Sequence, residues 1–295
     1  MAILALIIAT SLWGLNFHFA KLMLPEVEFI EGGFWRYLFG VLLLVLFNIR
    51  NLPTRQDFKT HLKGVLMIGG VGLFGFNIFF FLGMDSTTGV NGALIMGLNP
   101  ALTLIYSHFI LNTAIHKNHI VGIFIALLGV LFLLFQGDLS QVLNLGFTLG
   151  DLIVLIAVNF FALHHVWVKK YSSPELPTGK YTLMAAFICL ICLSLTAPFT
   201  ETAHVAEHSM KFWIGAAGIG IFGSGISYLL WNKGVKELGA NKAGVFVNLV
   251  PLSAGMSSAL FGETLESFHF ISGAIIVCGL LIMQLGAIFP KYFKH

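Results

Sequence analysis

The residues with the most explicit chemical spacing are His204-Val-Ala-Glu207-His208. Two histidines four positions apart can hold zinc from one helical face while a glutamate acts as base. Here they fall in a short connection between apolar stretches, with no domain to supply a cleft or the outer-shell groups that orient ligands. A membrane-embedded metal-dependent hydrolase is therefore kept as an alternative, and no metal is expected. Gly223-Ser224-Gly225 has part of a nucleophile turn but lacks the full G-x-S-x-G spacing, so it reads as small residues for helix contact. Cys189-Leu-Ile-Cys192 has a redox spacing, yet it and Cys278 sit inside apolar runs, which favours packing over a disulfide framework. There is no phosphate-binding loop, dinucleotide glycine pattern or basic stripe, so no cofactor, no ATP-driven chemistry and no nucleic-acid partner is expected.

The remaining chemistry lies in polar side chains stranded within long apolar runs, where each is costly unless it faces a cavity or a partner. Near the N-terminus, Trp13, Asn16, Phe17 and Ala20 share a helical stripe, with His18 beside it. A later run carries Asn159, His164 and His165; neighbours on a helix point about 100° apart, and His164 is the one expected to face inward. Another holds Ser224, Ser227, Tyr228 and Trp231 on one stripe, and Asn99 and Asn248 lie just ahead of Pro100 and Pro251. Competing readings are plain packing: Asn16 and His18 bonding to neighbouring helices, Trp231 anchoring at an interface, Lys21 and Arg36 snorkelling to water. All thirteen carboxylates fall in connections or near run ends. Any proton coupling would then run through His18, His164 or His165, whose ordinary pKa suits a switch.

What must position these groups is a set of membrane helices. Of 295 residues, 57% are apolar and only 10% charged, too few charges to cover a water-soluble surface of this size. The apolar runs are continuous rather than alternating, which selects helices over a β-barrel. Spans are expected near 2–20, 32–49, 62–83, 89–111, 119–136, 149–168, 180–199, 212–232, 242–261 and 268–289, ten in all, the first retained rather than cleaved as a signal. Sorting the sixteen Lys and Arg by alternate connections puts all but Lys21, Arg36 and Lys211 on one side. By the positive-inside rule that side is cytoplasmic, and both termini lie there.

Residues 64–132 align without a gap on 215–283, and the matches fall on backbone-shaping residues: Gly64 with Gly215, Gly72 with Gly223, Gly83 with Gly234, Pro100 with Pro251, Gly122 with Gly273. The same register pairs Tyr228 with Asn77 and Trp231 with Phe80, while the first spans of the two halves align His164 with Asn16. Five spans per repeat is odd, so the second half must lie inverted, an arrangement common among carriers that bind solute between halves. The expected fold is an all-α integral membrane protein, ten transmembrane helices as two inverted five-helix repeats, 1–138 and 146–289.

Trp13-Gly14-Leu15-Asn16-Phe17 followed by Lys21, Pro25 with Arg36, and the repeated Asn99-Pro100 and Val250-Pro251 resemble the EamA branch of the drug/metabolite transporter superfamily. The resemblance implies a central cavity and secondary transport of amino acids or related metabolites, often outward, across a bacterial inner membrane. One departure stands out: the acidic residue common twelve positions after the proline is present as Glu263, whereas Asn112 replaces it in the first half. The candidate solute contacts are thus Trp13, Asn16, Phe17, His18, Asn77, Phe80, Asn99, Asn159, His164, Tyr228, Trp231 and Asn248, with Lys21, Arg36 and Glu263 as charge partners. Partners are a small-molecule substrate and the lipid bilayer, with a channel as a further alternative.

Overall fold

Long apolar runs keep every backbone polar group paired within one segment by forming helices. The computed structural model describes residues 1–138, 140, 146, 148–196, 208–262 and 264–288. These residues form ten helical rods: α1 (Ala2–Met23), α2 (Phe29–Phe47), α3 (Arg55–Met84), α4 (Gly89–Met96 continued by Asn99–Leu111), α5 (Lys117–Leu134), α6 (Leu149–Tyr171), α7 (Thr178–Thr196), α8 (Met210–Leu238), α9 (Ala240–Gly244 through Ala259–Phe261) and α10 (Ser267–Ile288). Among the described residues, α1 to α8 are long and apolar enough to cross a membrane, and Ser267–Met283 of α10 is a shorter apolar helix. α9, broken by 3-10 turns and rich in Gly, Ser and Asn, falls outside that set.

Local sequence sets the rod ends. Thr54 with Asp57 starts α3, and Thr148 with Asp151 starts α6, each a capping box that satisfies otherwise unpaired amides. Gly239 and Gly262, both at positive φ, close α8 and α9. Connections assigned to the basic-rich side do meet: Asn241 donates to Thr113 Oγ1 at 3.1 Å, and Lys180 pairs with Asp57 at 3.0 Å. On the other side the Ser209 amide donates to Glu26 at 2.8 Å, and the Thr87 hydroxyl bonds Asp151.

The repeat survives folding as a set of matched helix contacts. The first rod of each half packs along the third rod of the other, and equivalent glycines receive equivalent residues. A Cβ on Gly234 would meet Leu6, one on Gly223 would meet Asn16, and one on Gly215 would meet Met23. In the other half Gly83 meets Val154, Gly72 meets His164 and Gly64 meets Tyr171. Both third rods also pass through a π-helical stretch, Leu66–Leu73 and Ile219–Ile226. Inversion is visible where α5 and α10, the fifth rods, lie side by side: Gly122 faces Gly279 and Met283, and Gly129 faces Ile276. As one chain number rises the other falls, so equivalent rods run antiparallel.

Candidate functional site

α1, α6 and α8 bring an aromatic cluster together at the middle of the bundle. The Trp13 ring lies 5.4 Å from Tyr228, 5.0 Å from Trp231 and 5.8 Å from Phe161. His165 completes the box at 4.4 Å from Phe161 and 4.7 Å from Trp231, and His164 lies 5.7 Å from Tyr228. The Trp13 indole donates to the Gly223 carbonyl at 3.0 Å, which ties α1 to the π-helical part of α8. π-helical turns inside α-helices recur at functional sites.

Polar groups border the box. Asn77 donates to Tyr37 OH at 3.2 Å, and Tyr37 lies 6.4 Å from Tyr228. Arg36 Nε donates to Ser224 Oγ at 2.7 Å, with its guanidinium 5.6 Å from the Tyr37 ring centre. Thr103 Oγ1 sits 3.5 Å from His165 Nδ1 and 3.4 Å from Asn99 Oδ1. The His164 Nδ1 faces the Ile68 carbonyl at 3.4 Å. Among the described residues, buried atoms of this neighbourhood have no hydrogen-bond partner: Asn77 Oδ1, Asn99 Nδ2, Nε2 of His164 and His165, and Trp231 Nε1; both amide atoms of Asn248, on α9, are likewise without one. Each such group carries a desolvation penalty of about 1–3 kcal/mol until a partner arrives.

Several expected residues land elsewhere. Asn16 is used in the α1 to α8 packing against Gly223. His18 Nε2 lies 2.9 Å from Ser257 Oγ, in the seam between α1 and α9. Phe80 lies tilted against Phe76 at 5.3 Å, and Asn159 is held by the Tyr106 hydroxyl and by its own amide donating to Leu155 O at 2.7 Å. Phe17 is 55% exposed, one turn beyond Trp13. Trp231 is fully buried in the cluster rather than anchored at an interface. Both histidines are buried in the cluster, so the expectation that His164 alone faces inward is corrected; His164 stacks on Phe161 and His165 meets the same ring edge-on. Phe161 and, as a solute contact, His165 were not foreseen, nor were Tyr37 and Thr103; His165 entered only as a candidate for proton coupling. The signal that could have found the first two is the offset between first spans, which places Phe161 on Trp13 and His165 on Phe17.

Of the zinc-like motif, His204 and Glu207 lie outside the described residues, as does Glu263. His208 is committed to carboxylates, 3.1 Å from Glu31 Oε1 and 4.0 Å from Glu26. Among the described residues no group of three metal-ligating side chains converges. Cys189 and Cys192 are free thiols.

The sequence pattern of the EamA-like transporter family matches residues 1–135 and again 148–285. The uncharacterized transporter YyaM of Bacillus subtilis is 31% identical over 282 residues, covering 95% of this chain and 92% of its own. YetK of the same organism, also an uncharacterized transporter, is 26% identical over 285 residues, covering 95% and 86%. A solved crystal structure at 19% identity superposes with a TM-score of 0.80 over 96% of this chain and 98% of its own, a likeness of fold. With its helical bundle, its inverted halves and both family matches in register, the chain belongs to the EamA-like transporter family.

Proposed function

We propose that the protein is a secondary transporter that holds a small organic solute between inverted halves, residues 1–138 and 146–289, and releases it to alternate sides. The observation that carries this reading is the set of partnerless buried polar atoms beside the Trp13, Tyr228 and Trp231 rings. Donors and acceptors that no protein atom satisfies can be satisfied by a passing solute, and aromatic faces suit one with a bulky apolar body. Amino acids, particularly aromatic ones, fit both requirements, with Arg36 meeting the carboxylate. The reading extends to export across a bacterial inner membrane, which the resemblance to the family supports, with both termini cytoplasmic, which the charge sorting supports.

Proton coupling, in this reading, uses His164 and His165, since every described carboxylate lies near a rod end. The test is counterflow in proteoliposomes with a panel of labelled amino acids. Saturable exchange that falls at least tenfold in a Trp231→Ala variant is expected, and its pH dependence disappears when both histidines become glutamine. Absence of saturable flux for every solute, or flux without counterflow, would refute a carrier.

A further inference from the structure

The two halves are equivalent in sequence but not in burial. Along one stripe of α1, Leu6, Thr10 and Trp13 are buried, Phe17 is 55% exposed and Lys21 is exposed. Their counterparts on α6 are Val154, Val158, Phe161, His165 and Lys169. The first three are likewise buried, but His165 is 0% exposed and Lys169 only half-buried. The stripes match over their first turns and part at their last. Those last turns lie at opposite faces: α1 ends on the basic-poor side, α6 on the basic-rich side.

The fourth rods repeat the pattern. Residues 243–249 of α9, at the basic-rich side, are buried without interruption. Their counterparts 92–98 on α4 include four half-buried positions, 93–96, and an exposed Leu98. Packing agrees, because α6 lies against α8 and α9 whereas α1 has no comparable packing on α3 or α4 among the described residues. The basic-rich side is therefore shut and the basic-poor side open.

What fastens the shut side is also visible. Lys169 Nζ donates to the Lys236 carbonyl at 2.6 Å, and Lys236 Nζ donates to the Ser173 carbonyl at 2.7 Å, stapling α6 to α8 and to the turn beyond α6. In the repeat register Lys169 corresponds to Lys21, and Lys236 corresponds to Asp85 at the end of α3. Asp85 is exposed and makes no ion pair among the described residues. On the basic-poor side the counterparts of the two stapling lysines are thus a lysine and an aspartate.

We propose that Lys21 and Asp85 form the gate of the basic-poor side, an ion pair made when the lysine staple opposite opens. This rests on the transporter reading and adds the groups that define its second state. Lys21 exchanges its present contacts at the mouth for Asp85 as α1 closes on α3. Because the closing groups are charged here and backbone carbonyls there, the two states respond differently to salt and to charge substitution.

The experiment uses the full chain with its three cysteines replaced and a Phe17→Cys reporter, labelled by a membrane-impermeant maleimide from the basic-poor side. Prompt labelling is expected, because Phe17 is 55% exposed on the stripe that continues from Trp13 toward the open side. Lys169→Met, by loosening the staple, should slow labelling by about threefold or more as the population shifts to the other state. Adding Asp85→Asn should restore the original rate, and Lys21→Glu with Asp85→Lys should behave as the parent where each alone does not. No labelling of Phe17→Cys, or labelling indifferent to Asp85→Asn in the Lys169→Met background, overturns the gate. Failure of the two readings is separable: a responsive labelling cycle without solute flux defeats the transporter, and normal counterflow with a flat cycle defeats the gate.

Discussion

Arg36 lies seven residues into α2, about 10 Å along the rod from its start, half-buried and facing Tyr37 and Ser224. It has no ion pair with a carboxylate among the described residues, so its charge is held by one hydroxyl and aromatic faces. A cation so placed favours an anionic group on whatever enters beside it. Arg36→Gln should raise the half-saturating concentration for carboxylate solutes about tenfold or more, the magnitude of one charge-assisted hydrogen bond. It should leave thermal unfolding nearly unchanged, and uptake kinetics against a melting curve check both. Polar residues such as His164, Asn77 and Tyr228 could be picked out in the sequence because lipid tolerates them poorly. Phe161, Phe76 and Tyr37 could not, since an aromatic ring in an apolar run looks the same whether it faces lipid or a partner helix. Trp231 was ambiguous for the same reason and is resolved only by the rings around it.

Rod packing depends on glycines that let backbones touch. A Cβ on Gly279 would lie 2.6 Å from both the Ala126 amide nitrogen and the Gly122 carbonyl oxygen, so α5 and α10 would have to separate. Gly70 offers a control, with its nearest neighbour, Ile188 Cγ2, at 3.4 Å. Gly279→Ala should therefore lower the melting temperature in detergent, a destabilisation of about 1–3 kcal/mol, whereas Gly70→Ala should barely move it. The rods and their repeat were readable because Gly and Pro recur in register where hydropathy alone would not preserve them. The π-helical stretches were not, because no residue type demands that register. The breaks within α9 were equally hidden, being turns between short helical pieces rather than a polar interruption.

At the level of the whole molecule, the proposed topology has both termini on the basic-rich side. Epitope tags inserted after Asn51 or Ser173 should be shielded from an impermeant label in intact cells, and a tag after Asp85 should be reached. Reversal of that pattern would reverse the proposed direction of every step above. The inverted architecture was legible from parity and charge, whereas the difference in burial between the halves was not, because one sequence serves both states. The paired π-helical stretches carry a last consequence. Ser227 Oγ reaches back five residues to the Phe222 carbonyl at 2.7 Å, as the wide register requires. Trimming one amino acid between Ile219 and Ile226 would let the coil tighten to ordinary α geometry. Residues downstream would keep nearly their present facing, because the wide turn absorbs the extra residue, but the register that presents the Gly223 carbonyl to the Trp13 indole would be lost.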